Sequence, residues 1–449
     1  DIRPLSPPVP ERHRMVLQGL PVPLRKAKGC VKMAEFIIEG KRRLEGSLAV
    51  HGAKNSALPI LAATLLPGDC VIHNCPRLTD VDAACNILRH LGSETERVGT
   101  SIHVGAGKGC CCCIPDELMR RMRSSIVFLG AIVAKCGRAR ISMPGGCELG
   151  PRPIDLHLAA LEKLGVTIEE DHGYLECTVR DRLRGTRIAL PFPSVGATEN
   201  IMIAATLAQG ETVIKNAARE PEISDLAAFL NACGARVCIT ADGDLHITGV
   251  KELHAAEHRV IPDRIAAATY LSAAAATGGD VELTDVCTEH LAAVLPCFEE
   301  MGCALHVAPD KVHLCAPKRL HPLRSVRTMP YPGFPTDAQS PLMAAACLAD
   351  GNSVFIENIF ESRYKHVPEL ARMGADIKVE GRVALVQGVS KLHSADVRCT
   401  DLRGGAAIAI AALSADGVTR LSDIGHIDRG YEHFEKNLEK IGAKIRRGA

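Results

Sequence analysis

Apolar residues recur along this chain in a pattern that repeats six times. In each unit a helix-like apolar stripe ends in a glycine followed by a small residue, and a strand-like segment comes next. A glycine just past the last helical turn accommodates the left-handed backbone that commonly ends a helix. These six glycines are 68 to 73 residues apart: Gly92, Gly165, Gly234, Gly302, Gly374 and Gly442. A second series starts the strand of each unit: Gly68, Gly137, Gly210, Gly279, Gly351 and Gly417.

Self-similarity at a nearly fixed period indicates one supersecondary unit used several times. Each unit predicts one helix, a strand and a variable loop, a second helix and two closing strands. Residues 259–263, between the third and fourth units, mark a boundary between two similar halves. The pattern therefore predicts an α/β fold of six repeats.

One loop between a strand-like and a helix-like stretch contains a candidate reactive thiol. Cys147 lies among three glycines and five residues before Arg152, and Pro153 opens the next helix. A helix N-terminus and a guanidinium both favour thiolate over thiol. We therefore expect Cys147 to be reactive, whereas an arbitrary cysteine is more often a buried and inert one.

The other variable loops also carry charged residues before helices. Lys54 and Asn55 precede an apolar helix, which suits an anionic ligand at the helix N-terminus. For any single residue of this kind, a solvated salt bridge or a helix cap is the alternative interpretation. Together they form a pattern of cations and carboxylates in repeat-equivalent loops, typical of a site for a substrate with phosphate and carboxylate groups. The cations of this pattern are Lys54, Arg123, Arg152, Arg403 and Arg429, and its carboxylates are Glu220 and Asp337. Asp263 and Asp401 are further charged residues in loops before helices.

Composition excludes several classes of function. The chain has 449 residues, no Trp and 3% aromatic residues, which argues against stacking platforms for single-stranded nucleic acid. The net charge is +1, but the first 32 residues hold seven Lys or Arg against two Asp or Glu, so the remainder is slightly acidic. No basic surface for a polyanion and no membrane span are predicted.

Nineteen cysteines follow no metal-ligand spacing, and most lie in apolar stretches. Reduced cytoplasmic thiols acting as small hydrophobic residues explain this usage best. The run Cys110–Cys113 alternates its side chains if extended, so it does not predict a zinc site. Residues 1–33 are rich in proline and without periodicity, and we expect a disordered or non-native extension there.

Seven motifs occur in an order and at spacings that identify a family. They are Gly52–Ile60, Pro144–His157, Pro193–Thr198, Asn216–Ile223, Phe334–Asp337, Thr400–Arg403 and His426–Tyr431. With them, the chain from about residue 34 onward resembles the UDP-N-acetylglucosamine 1-carboxyvinyltransferases, which are enolpyruvyl transferases of bacterial peptidoglycan synthesis. It departs from their pattern at Phe192, where some members have a lysine, and at Ala266, where many have a glutamate.

The resemblance implies two inside-out α/β barrel domains, each of three repeated units, with the active site between them. Residues 54–261 would form the first domain with the Cys147 loop, and residues 34–53 plus 262–449 the second. It also implies transfer of enolpyruvate from phosphoenolpyruvate to the 3′-hydroxyl of UDP-N-acetylglucosamine, with release of phosphate and without a cofactor or a metal. Neither nucleic acid nor membrane would be a partner.

The resemblance also assigns roles to individual residues. Cys147 would donate the proton to the methylene of phosphoenolpyruvate, form a covalent adduct and be the target of fosfomycin, and Asp337 would be the base at the sugar hydroxyl. Lys54, Arg123, Arg152 and Arg429 would hold the phosphate and carboxylate, with Asn55 alongside. The remaining candidates for substrate binding are Pro153, Ile154, Asp155, Leu156, Ser194, Val195, Gly196, Glu220, Asp263, Ile359, Asp401 and Arg403.

Two alternatives remain open from the sequence. A 5-enolpyruvylshikimate-3-phosphate synthase-like transferase would have the same architecture, and the Cys147 loop and the Lys54-Asn55 pair argue against it. A non-catalytic repeat or binding protein would leave Asp337 and the scattered cations unexplained.

Overall fold

Alternation of buried and exposed side chains accounts for the strands of this protein. In the strand Glu35–Glu39, for example, Phe36 and Ile38 are fully buried while their neighbours are only half-buried. Such alternation lets one face of a short strand cover an apolar core. The computed structural model describes residues 34–107, 109, 111–122, 124–143 and 154–448.

Helices and strands alternate along the described residues. The strands are β1 (Glu35–Glu39), β2 (Glu45–Ala49), β3 (Cys70–His73), β4 (Glu94–Val98), β5 (Ser101–Gly105), β6 (Cys113–Ile114), β7 (Arg138–Ser142), β8 (Val166–Asp171), β9 (Tyr174–Val179), β10 (Arg187–Ala189), β11 (Glu211–Lys215), β12 (Arg236–Ile239), β13 (Leu245–Thr248), β14 (Glu257–Arg259), β15 (Asp280–Thr284), β16 (Ala304–Ala308), β17 (Lys311–Cys315), β18 (Val326–Arg327), β19 (Asn352–Ile356), β20 (Asp376–Glu380), β21 (Val383–Gln387), β22 (Asp396–Arg398), β23 (Val418–Ser422) and β24 (Lys444–Gly448).

The helices are α1 (Lys54–Ala63), α2 (Thr79–His90), α3 (Asp116–Arg121), α4 (Phe128–Cys136), α5 (Asp155–Lys163), α6 (Val195–Ala205), α7 (Pro221–Ala232), α8 (Arg264–Ala276), α9 (Leu295–Glu300), α10 (Thr336–Ala346), α11 (Val367–Arg372), α12 (Leu402–Ser414), α13 (Gly425–Asp428) and α14 (Phe434–Lys440). Short 3₁₀ helices span Ser125–Val127, Thr288–Leu291 and Arg363–His366. None of the helices among the described residues has the length and apolar character needed to cross a membrane.

The described strands form six four-stranded sheets of one design. In each sheet one edge strand pairs in parallel with its neighbour, and the remaining pairings are antiparallel. The strand orders are β14-β3-β5-β4, β6-β7-β9-β8, β10-β11-β13-β12, β16-β17-β15-β2, β18-β19-β21-β20 and β22-β23-β1-β24. This arrangement confirms the mixed α/β class that the sequence predicted.

Two clusters of buried apolar side chains lie beneath these sheets. One cluster draws its residues from Ala53 to Val260, and the other from Phe36 to Val50 and from Ala266 to Ile445. The helices at their centres are buried on almost every side: in α12, eleven consecutive residues from Arg403 to Leu413 are buried. Residues from Ala34 onward nevertheless belong to one compact unit.

The chain passes between the two apolar clusters twice, at neighbouring positions. The Ala53 N–H donates to the Ile261 carbonyl at 2.7 Å, and the Asp263 N–H donates to the His51 carbonyl at 2.9 Å. Gly52 lies between them, and a Cβ atom there would overlap the carbonyl oxygen of Asn74. A side chain at position 52 would therefore force the first pass away from Asn74.

Candidate active site

The predicted site residues cluster at the N-terminal ends of helices. Lys54 begins α1, Asp155 begins α5 and Val195 begins α6. Helix N-termini present unpaired N–H groups and a positive partial charge, so they attract anions. The remaining members of this group are Glu220 before α7, Asp263 before α8, Asp337 in the first turn of α10, and Asp401 with Arg403 at the start of α12.

Lys54 and Arg429 meet on one buried carboxylate. The Lys54 ammonium lies 2.7 Å from Asp80 Oδ2, and the Arg429 guanidinium donates to both Asp80 oxygens at 2.9 and 3.2 Å. Burial lowers the pKa of Lys54, and the charge of Asp80 opposes that shift. Burial would also raise the pKa of Asp80, but the two cations outweigh it and hold that pKa below its usual value. The Asp80 carboxyl therefore stays ionised between its two partners.

Asp337 is held between two arginines. Arg363 donates to Oδ1, while Arg403 donates to Oδ2 from Nε at 3.2 Å and from Nη2 at 3.0 Å. Burial by itself would raise the pKa of Asp337, but the charges of Arg403 and Arg363 outweigh it and keep that pKa far below the ordinary aspartate value. The Arg403 guanidinium also lies over the Tyr431 ring, 5.2 Å from its centroid.

Asp263 bonds mainly to backbone groups where the chain crosses between the apolar clusters. Its Oδ1 accepts the N–H groups of Ile265 and Ala266, both at 2.8 Å, and its Oδ2 accepts the Lys54 N–H at 3.2 Å. Asp263 thus caps α8 and fixes the start of α1. A substrate contact by this residue stays a prediction.

Glu220 lies beside a second contact between the two clusters. Its oxygens accept the Arg219 N–H at 3.0 Å and the Tyr331 N–H at 3.3 Å, and burial raises its pKa. Two residues further on, Glu222 forms a bidentate pair with Arg264 at 3.1 and 3.2 Å. This pair is buried on both sides, so the acidic end of α7 is joined directly to α8.

The segments predicted to bind the nucleotide sugar are brought together in part. Asn200 of α6 lies 3.0 Å from His157 Nδ1 of α5, so Ile154, Asp155 and Leu156 are close in space to the turn that contains Ser194, Val195 and Gly196. Ser194 caps α6 by accepting the Ala197 N–H at 3.4 Å. Ile359 lies just after β19 in the other half of the chain and is half-buried. Phe192, a departure from the family pattern, is 42% exposed.

Several predicted residues lie outside the described part of the chain. They are Arg123, Cys147, Arg152 and Pro153, together with residues 1–33 and Cys110. Of that cysteine run, the structure describes Cys111, Cys112 and Cys113. Across the described ranges, no group of three or more His, Cys, Asp or Glu side chains is placed to hold a metal ion.

Sequence reasoning missed two residues of the charged clusters. Asp80 was overlooked although Thr79-Asp80 repeats the Thr-Asp step of Thr336-Asp337 and of Thr400-Asp401 at a helix start. Arg363 lies in a 3₁₀ helix with no pattern that distinguishes it from a surface arginine, yet its side chain is only 1% exposed. Its contact with Asp337 is visible only in three dimensions.

Comparisons with known proteins identify the family of this chain. The sequence model of the family "EPSP synthase (3-phosphoshikimate 1-carboxyvinyltransferase)" matches residues 38–438. UDP-N-acetylglucosamine 1-carboxyvinyltransferase 2 of Caldanaerobacter subterraneus subsp. tengcongensis is 52% identical over 92% of this chain and 99% of its own. UDP-N-acetylglucosamine 1-carboxyvinyltransferase 1 of Symbiobacterium thermophilum is 50% identical over 96% of this chain and 99% of its own.

Solved structures give the same answer for the fold. The enolpyruvyl transferase NikO from Streptomyces tendae superposes with a TM-score of 0.84 at 26% identity, covering 92% of this chain and 99% of its own. EPSP synthase from Acinetobacter baumannii has a TM-score of 0.71 at 18% identity, covering 93% of this chain and all of its own, and so shares the fold. The chain therefore belongs to the enolpyruvyl transferase family, in its UDP-N-acetylglucosamine 1-carboxyvinyltransferase branch.

Proposed function

We propose that this protein transfers the enolpyruvyl group of phosphoenolpyruvate to the 3′-hydroxyl of UDP-N-acetylglucosamine and releases phosphate. The observation that carries the proposal is the pair of charged clusters: Lys54 and Arg429 on Asp80, and Asp337 between Arg363 and Arg403. The first supplies fixed cations for an anionic donor, and the second supplies a carboxylate for the acceptor hydroxyl. The names of the two relatives given above support this choice of substrates.

The chemistry is an addition followed by an elimination. Cys147 gives a proton to the methylene carbon of phosphoenolpyruvate while the sugar oxygen attacks the adjacent carbon and Asp337 takes the hydroxyl proton. The Cys147 thiolate then takes a proton back from the new methyl group as the bond between the neighbouring carbon and the phosphate oxygen breaks, which restores the double bond. Lys54 and Arg429, with Arg123 and Arg152, hold the phosphate and carboxylate throughout.

Asp337 is a weak base while both arginines neutralise it, because a base works best when its pKa lies near the working pH. An anionic substrate that draws Arg363 or Arg403 toward itself reduces their hold on Asp337. The pKa of the carboxyl then rises toward a range in which it accepts a proton. In this way substrate binding itself activates the base.

The finer architecture is part of the same proposal. Residues 54–261 form one three-repeat inside-out barrel, and residues 34–53 plus 262–449 form the other, with the site between them. The six sheets and the two apolar clusters support this division. So does the pairing of β1 and β2 with β23, β24 and β15.

The biological setting follows from the proposed reaction. It is the first committed step of peptidoglycan synthesis, so the protein serves cell wall biogenesis, cell shape and cell division. Cys147 is then the residue that carries a pyruvate adduct and reacts with fosfomycin. A cytoplasmic location, expected from the cysteine usage, stays a prediction.

Phosphate release tests the proposal. Wild type and Cys147→Ser are assayed with phosphoenolpyruvate, with and without UDP-N-acetylglucosamine, and in parallel with shikimate 3-phosphate. Release by the wild type that requires the nucleotide sugar and is lost in Cys147→Ser supports both the reaction and the thiol's role. If phosphate is released with shikimate 3-phosphate and not with UDP-N-acetylglucosamine, the protein belongs to the other branch of the family. If neither acceptor gives phosphate release, the proposal is overturned.

A further inference from the structure

A buried carboxylate directly after β19 has no role in the proposed chemistry so far. Glu357 is 1% exposed, although it lies between the strand and the segment that contains Ile359. Glutamate is almost never fully buried unless hydrogen bonds or ions satisfy it. The hydrogen-bond partners of Glu357 therefore indicate its role.

One carboxylate oxygen of Glu357 fixes the backbone predicted to line the nucleotide-sugar site. Its Oε1 accepts the N–H of Ile359 at 2.7 Å and that of Phe360 at 2.8 Å. Two short bonds to successive N–H groups hold this turn in one conformation. The Arg363 guanidinium lies near the Phe360 ring, 5.4 Å from its centroid, so the turn also contacts a partner of Asp337.

The other oxygen of Glu357 reaches the start of α10. Its Oε2 accepts the hydroxyl hydrogen of Thr336 at 2.9 Å, and Thr336 directly precedes Asp337. Arg363 holds the same residue from the opposite side, because its Nε donates to the Thr336 carbonyl at 3.2 Å while Nη2 binds Asp337. One carboxylate thus joins the Ile359 turn to the first turn of the helix that presents Asp337.

Comparison among the repeats shows that Glu357 occupies a position where four other repeats have a shorter side chain. Six residues after the strand glycine, four repeats have Asn or Asp with a left-handed backbone: Asn74, Asn216, Asp285 and Asp423, with φ between 53° and 59°. Glu357 occupies the same offset from Gly351 and is not left-handed. Its longer side chain spans the gap to α10.

In the repeat of Glu357, the side-chain hydrogen bond typical of this position is made by the next residue, Asn358. Asn74 and Asn216 donate from Nδ2 to the carbonyls of Val260 and Leu190, each just beyond a short parallel strand. In the Glu357 repeat, Asn358 makes the equivalent bond to the Thr328 carbonyl at 3.1 Å. The Glu357 side chain does not make this bond and instead accepts hydrogen bonds from Thr336 and from the Ile359 turn.

We propose that Glu357 is a positioning residue that sets the nucleotide-sugar turn at Ile359 and the base Asp337 in a fixed relation to each other. The inference rests on the proposed function, since it concerns the acceptor side of that reaction. Glu357 touches neither substrate in this account. It aligns the acceptor hydroxyl with the carboxylate that takes its proton, and misplacement of such groups costs rate as well as binding.

Steady-state kinetics on matched variants tests this inference. Glu357→Ala removes both connections, Thr336→Val removes only the one to α10, and Glu357→Gln retains an acceptor for the turn and a donor for the threonine oxygen. Glu300→Ala is the control, since Glu300 accepts the Arg324 N–H at 2.8 Å on an exposed surface of the same half. For each variant kcat, the two KM values and the thermal midpoint are measured.

The expected pattern separates positioning from mere stability. Glu357→Ala raises the KM for UDP-N-acetylglucosamine and lowers kcat, each by about tenfold, the size expected for lost buried hydrogen bonds. Its KM for phosphoenolpyruvate stays near the wild-type value. Thr336→Val lowers kcat alone, Glu357→Gln restores both parameters to within about threefold of wild type, and Glu300→Ala changes neither.

Two results would overturn the inference while the proposed function stands. One is wild-type kinetics in Glu357→Ala, and the other is an equal loss for both substrates in the Ala and Gln variants with a lowered thermal midpoint. Absence of sugar-dependent phosphate release by the wild type is a different result, because it removes the proposed function and this inference with it.

Discussion

Arg429 and Asp80 form a bidentate ion pair across 349 positions of sequence, at 2.9 and 3.2 Å. Asp80 lies in helix α2, whose buried apolar residues belong to the cluster of residues 53–260. Arg429 follows α13 in the other half of the chain. The same carboxylate binds the Lys54 ammonium. One buried anion therefore sets the spacing of the two cations that we assign to phosphoenolpyruvate.

Removing the charge of Asp80 should change both the stability of the protein and the pKa of Lys54. We expect Asp80→Asn to lower the free energy of unfolding by about 3 kcal/mol, because two cations lose their buried counter-ion. Since Asp80 raises the pKa of Lys54 against the effect of burial, the variant lowers that pKa further. The alkaline limb of kcat/KM for phosphoenolpyruvate then moves to lower pH.

Urea unfolding and a pH–rate profile measure these effects. Asp82→Asn is the matched control, because Asp82 is exposed on the same helix. An unchanged alkaline limb in Asp80→Asn would show that the ammonium of Lys54 does not depend on this carboxylate.

The arginines around Asp337 give a second prediction, with a definite sign. The folded-state pKa of Asp337 lies below the unfolded value of about 3.9, so its contribution to stability is fully present above that value and is lost as pH falls toward the folded pKa. We expect Asp337→Asn to be less stable than wild type by about 3 kcal/mol at pH 7, because the buried guanidinium groups of Arg363 and Arg403 lose their charged partner.

The difference between wild type and Asp337→Asn should be constant from pH 8 to about 5 and shrink below about 4. Urea unfolding at several pH values measures it, with the exposed Asp376→Asn as the control. A difference that grows as pH falls would contradict the lowered pKa.

Glu199 presents the opposite case, a buried carboxyl that is more stable protonated. Burial raises its pKa well above the ordinary glutamate value, and the charges of Glu222 and Glu220 raise it further. The folded state therefore binds more protons than the unfolded state above about pH 4.5, and stability falls as pH rises through that window. Glu199→Gln removes the titrating group without changing its shape.

We expect Glu199→Gln to unfold at a higher temperature than wild type, by an amount that grows from pH 5 toward neutrality. Thermal unfolding monitored by circular dichroism measures this, and Glu252→Gln, an exposed position, is the control. Equal pH dependence in wild type and Glu199→Gln would show that Glu199 does not titrate in this window.

How much of this could be predicted from sequence depends on how local each feature is. The repeat glycines revealed the six units because helix ends and strand starts are local events. Lys54, Asp337 and Arg429 could be chosen because charged residues before apolar helices are unusual. The partners that tune them could not, since Asp80 and Arg363 resemble an ordinary helix-start acid and a surface arginine until the chain is folded.

The packing of the helices was also beyond the sequence pattern. Helices such as α12 and α8 are buried on nearly all sides and rich in alanine, so they lack the amphipathic stripe that shows which face contacts what. Small residues there allow close approach between helices, and close approach is a property of the pair rather than of either sequence.

Gly130 shows the consequence of that close packing. It lies in α4, and its N–H donates to the side-chain oxygen of Asn200 in α6. A Cβ atom at this position would overlap the carbonyl oxygen and Oδ1 of Asn200, which are rigidly held in a buried helix. We expect Gly130→Ala to destabilise the protein by about 2 kcal/mol, because the two helices must separate to admit one methyl group.

A second glycine provides the contrast that makes this test specific. At Gly425, in the short helix α13, no atom of the described residues beyond its chain neighbours and its own helix lies within 4 Å of the Cβ position, and the backbone is not left-handed. Gly425→Ala should therefore leave stability unchanged or raise it by up to about 1 kcal/mol, through the lower entropy of the unfolded chain. Urea unfolding of the two variants compares them directly. Equal effects would mean that backbone entropy, and not the contact between α4 and α6, sets the requirement for glycine at position 130.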